Sequence, residues 1–101
     1  MRYEDLVARV KASVFGAGGN TAPELRRAAA EQRLNDVPES LRKYVGTVAQ
    51  HAYRVTDEDV DALKRAGYSD DAIYEITAAT AVGAALRRLE TAMRVLGESA
   101  S

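Results

Sequence analysis

The feature that most constrains this chain is the stretch from Ser69 to Gly97, SDDAIYEITAATAVGAALRRLETAMRVLG, which reads as one uninterrupted helix. Between Glu75 and Arg87 it carries no charge, because Ile76 to Leu86 runs ITAATAVGAAL. A surface helix shows a polar side at every turn, so one that is apolar or small all round needs cover all round. A chain of 101 residues makes one domain with a sufficient but not generous core. The expectation is that another subunit supplies part of the cover, with Ala81, Gly83 and Ala84 as interface candidates. Along the same helix Ile73, Ile76, Thr80 and Gly83 recur at three and four residues, and Leu86, Leu89, Met93 and Leu96 recur with the phase displaced. The two halves therefore predict two different neighbours.

The remainder of the chain predicts an all-α single domain of about five helices over residues 1–101. Trp is absent, aromatic residues make up 6%, and no run of β-branched residues alternates as a strand would. YEDLVARVKASVF places Leu6, Val7, Val10 and Val14 at helical spacing, and Gly16, Gly18 and Gly19 then open a loop. That glycine cluster is not a phosphate loop, since no strand precedes it and no Lys follows. Pro23 starts a helix expected to reach Leu34, with Leu25, Ala28, Ala29 and Leu34 inward and Arg26, Arg27, Glu31 and Arg33 as a solvated face. Asp36 is expected to cap the next helix, whose buried side is Leu41, Tyr44, Val45, Val48 and Ala52. Thr56 and Asp59 form a capping box, Gly67 suits a left-handed position after a short helix, and Ser69 caps the last helix. Residues 98–101 are expected to be a disordered tail.

Composition removes several function classes. The formal net charge of -1 gives no field to attract nucleic acid or an anionic membrane, and Asp70 and Asp71 at a helix start repel phosphate. No uncharged run approaches a membrane span, and MRYEDLVARV lacks a signal-peptide core, so a cytoplasmic location is expected. The chain has no cysteine, hence no disulfide and no thiol chemistry. The acids of DEDVD lack the alternating ligands and glycine of a calcium loop and are read as capping groups, so neither metal nor cofactor is expected. The lone His51 falls beside a buried helix face and is the one side chain of its type able to act as acid or base near neutrality. A non-redox enzyme acting on a small acid, a decarboxylase or isomerase, would use His51, with Tyr53 or Tyr74 as hydrogen-bond donors and Arg54, Arg87 or Arg88 as carboxylate anchors. Each of these residues also has an ordinary structural role.

The unit TDEDVDALKRAGYSDDAIYEITAATAVGAALRRLETAMRVLG, residues 56–97, resembles the helical hairpin of the alkylhydroperoxidase D-like superfamily, which includes the carboxymuconolactone decarboxylases. Gly67, Ser69, Asp71 and Ile73 match the turn and the start of the second helix. The family's first helix carries Cys-x-x-Cys-x-x-x-His; by register these positions fall near Ala52, Val55 and Asp59, and none holds the required residue. Peroxide reduction there needs an attacking and a resolving thiol, so cysteine-based peroxidase activity is excluded by chemistry. His51 lies eight residues too early to inherit the family histidine's role. The resemblance implies a catalytically degenerate member that assembles as a homo-oligomer, or beside a cysteine-bearing relative, as an interaction module. It does not reach residues 1–35.

Overall fold

The protein is described from a computed structural model covering residues 2–16 and 18–100, with the side chains of Tyr3 and of residues 98–100 outside the description. Five helices follow one another: α1 (Tyr3–Phe15), α2 (Pro23–Ala30), α3 (Glu39–His51), α4 (Asp57–Arg65) and α5 (Asp70–Ala100). Short 3-10 turns, Leu34–Asp36 and Ala52–Arg54, lie before and after α3. No strand is present among the described residues. The all-α single domain predicted from the sequence is what forms.

α2 and α3 lie against the first half of α5, α4 folds back as the short arm of a hairpin, and α1 rests on α2 and α5. Leu41, Val45 and Val48 of α3 meet Ile73 and Ile76 of α5 in the core, with Ala28 and Ala29 of α2 and Val37 beside them. Helix ends are set by local chemistry. Thr56 Oγ1 accepts from the Asp59 N–H at 3.2 Å while Asp59 Oδ2 accepts from the Thr56 N–H at 3.0 Å, the predicted reciprocal box. Gly67, at φ +104°, closes α4: its N–H donates to the Lys64 carbonyl and that of Tyr68 to Leu63, a Schellman ending. Ser69 Oγ accepts from the Ala72 N–H at 3.1 Å and starts α5.

Four expectations give way. α2 ends at Ala30, four residues before Leu34, because Gln32 takes φ +57° and the Arg33 N–H returns to the Ala28 carbonyl. This too is a Schellman ending, with glutamine where glycine is the usual residue. Asp36 does not cap α3. It sits in a 3-10 turn and pairs with Arg33 at 2.7 Å, which lets Val37 enter the core and moves the helix start to Glu39. Ala52 lies outside α3 and is exposed. At the other terminus α5 is helical to Ala100, past the point where a disordered tail was expected; Ser101 lies outside the described residues.

Candidate functional site

The small-residue centre of α5 is covered from within the chain. A Cβ on Gly83 would come within 2.6 Å of the Ala30 Cα, so glycine is what lets α2 cross this close. Ala84 is buried as well, and Ala81 is exposed. Gly83 thus has α2 of the same chain as its close neighbour, and Ala84 is covered within the chain as well. Thr80, fully buried, returns its hydroxyl to the Ile76 carbonyl at 2.7 Å and needs no other partner.

Two clamps hold the glycine loop. Arg26, expected in solvent, is 6% exposed and donates to the carbonyls of Val14, Gly16 and Gly18 at 2.7–2.9 Å. From the other side Glu75 accepts from the Asn20 N–H at 2.7 Å, the Thr21 hydroxyl at 2.7 Å and the Thr21 N–H at 3.0 Å. The Asn20 N–H above all, then the Thr21 hydroxyl and N–H and the positive charge of Arg26, hold the Glu75 carboxyl below the usual carboxylate range. Loop geometry thus depends on one cation, Arg26, and one anion, Glu75, the latter 54 residues along the chain from Thr21.

The catalytic candidates do not converge. His51 ends α3 and is exposed, with Nδ1 3.5 Å from the Tyr53 hydroxyl and the two rings edge to face at 5.9 Å. Arg54 lies over the Tyr53 ring at 5.6 Å, and Tyr53 itself is 79% exposed. Tyr74 lines a cavity of about 210 Å³ with Ser13, Arg26 and Glu75. Arg87 lines a separate one of about 230 Å³ with Lys11, Phe15, Leu86 and Glu90. His51 lines neither, and neither do Tyr53 and Arg54. The arginines have other work: Arg87 donates to the Ala30 carbonyl and Arg88 to the Ala49 carbonyl at 3.3 Å. Both carbonyls lie in the last turns of helices, where acceptors are left over and positive charge is favoured. Among the described residues no three acidic or histidine side chains are grouped to hold a metal ion.

What remains without cover is the far half of α5. Every described side chain from Arg87 to Gly97 is exposed, among them Leu89 at 39%, Met93 at 43%, Val95 at 50% and Leu96 at 63%. With α5 reaching well past the ends of α2 and α3, the molecule measures 52 × 28 × 23 Å. No described helix is long and apolar enough to cross a membrane. Comparison of the chain with protein-family models, curated proteins and solved structures gives no match.

Proposed function

We propose that the chain is a helical assembly module whose working surface is the projecting half of α5. The observation that carries this reading is the exposed set Leu89, Met93 and Leu96, spaced four and three residues apart, which continues the repeat from the half-buried Leu86 into a helix segment whose described side chains are all exposed. A helix of this length standing alone in water is marginal, and packing its apolar stripe supplies the stability that propensity does not. The hairpin of α4, Gly67 and Ser69-capped α5 supports the resemblance to the alkylhydroperoxidase D-like superfamily, of which we read this chain as a cysteine-free, non-catalytic member. Exposure of His51 outside the cavities lined by Tyr74 and Arg87 favours assembly over acid–base chemistry.

Size-exclusion chromatography with light scattering, run from low to high micromolar chain, tests the reading. The expected result is a mass above that of one 10.9 kDa chain that rises with concentration. A folded monomer over the whole range overturns it.

A further inference from the structure

Resting on that reading, we infer that two copies of the chain pair through the projecting halves of α5, antiparallel, about a twofold axis level with Thr91. The stripe decides which face is buried, and its flanks decide the orientation. On one side of Leu86, Leu89, Met93 and Leu96 stand the small Ala85 and Ala92; on the other stand Glu90 and Arg94. A parallel twofold sets the charged flank of one copy against the alanine flank of the other, leaving Glu90 and Arg94 without cross-pairing. An antiparallel twofold sets like flank against like flank. The alanine sides then approach closely, and Glu90 of each copy lies about 3 Å along the axis from the level of the other copy's Arg94, within reach of an ion pair. Two such pairs offset the approach of the two Glu90 carboxylates to one another.

Level by level, reversal about Thr91 sets Leu89 opposite Met93 and Leu86 opposite Leu96. Leu96 is the most exposed leucine of the chain at 63%. On the helix Leu96 lies toward the alanine flank, so in the reversed copy it meets Leu86 beside the small Ala85, where a leucine has room. The same chain therefore offers a large residue and a small one at matched levels, each used twice, which is what an isologous contact requires. A strongly acidic or basic partner fits this surface less well, because both signs border it in Lys11, Glu31, Arg87 and Glu90.

The absence of cysteine makes the orientation directly measurable, since any engineered thiol pairs only with another engineered thiol. Chains carrying L89C and chains carrying M93C are mixed, oxidised mildly and weighed intact. The mixed L89C–M93C disulfide is expected to dominate; a preponderance of L89C–L89C disulfide overturns the antiparallel arrangement. In parallel, L96D is followed by light scattering and circular dichroism. It is expected to weaken the dimer by at least about tenfold while leaving the helical signal unchanged. An oligomer that persists undiminished in L96D overturns the interface while leaving assembly itself standing, whereas a wild-type monomer at every concentration overturns both.

Discussion

The two halves of α5 carry apolar repeats of the same spacing and meet opposite fates. From Ile73 to Gly83 the repeat is buried against α2 and α3; from Leu86 to Leu96 it ends in solvent. The amount of apolar surface does not separate them. Phase does. The first stripe continues around the helix not to Leu86 but to Arg87, and that side chain meets the end of α2 instead of extending the core. One residue of displacement, about 100° of rotation, turns a core helix into a projecting one.

The contrast breaks first at Gly83. Gly83→Leu drives a side chain into the Ala30 backbone, and loss of the cooperative unfolding transition is expected by thermal circular dichroism; even Gly83→Ala should cost about 1–3 kcal/mol. Next in size is the loop clamp. Glu75→Gln removes charge-assisted hydrogen bonds and should lose about 1–2 kcal/mol at neutral pH, read by urea unfolding. Because the folded carboxyl titrates below its ordinary value near 4.5, its contribution is complete above that value and fades as pH falls through the folded one. The wild type and Glu75→Gln should therefore converge in acid; a gap that stays constant down to low pH removes the carboxylate from the account. At the boundary, Arg87→Ala frees the terminal carbonyl of α2 and should cost about 1 kcal/mol. Smallest is Leu96→Ser, expected to change the stability of dilute monomer by less than about 0.5 kcal/mol. Hydrogen exchange of the dilute protein sharpens the same division: amides of 73–86 should exchange far more slowly than those of 89–97, and uniform protection along α5 contradicts it.

Whatever depends on neighbours in sequence was legible there. The span of α1, the Thr56–Asp59 box, the turn at Gly67 and the Ser69 cap all follow from residues within four positions of one another. The end of α2 was hidden because Gln32 adopts a left-handed conformation without glycine to announce it, its side-chain amide donating instead to the Ala29 carbonyl at 2.8 Å. Arg26 carries no sign of burial either, since its partners are backbone carbonyls that every sequence possesses. For the same reason Arg87 and Arg88 read as solvated or carboxylate-binding groups. Their acceptors, Ala30 and Ala49, lie in other helices and offer only backbone oxygen. The exposed stripe of Leu89, Met93 and Leu96 was visible as a repeat, but only the fold shows that α2 and α3 stop short of it.

Adjacent residues on a helix point about 100° apart, so Arg87 and Arg88 bind two different helices at a single height. The pair works as a gauge mark on α5: above it the helix is answerable to the body, below it to whatever it meets. A single residue inserted between Gly83 and Arg87 would swing both guanidinium groups off their carbonyls and rotate the far stripe relative to the core. Length in this segment is therefore under tighter constraint than composition, and tolerance to insertion should begin only beyond Arg88.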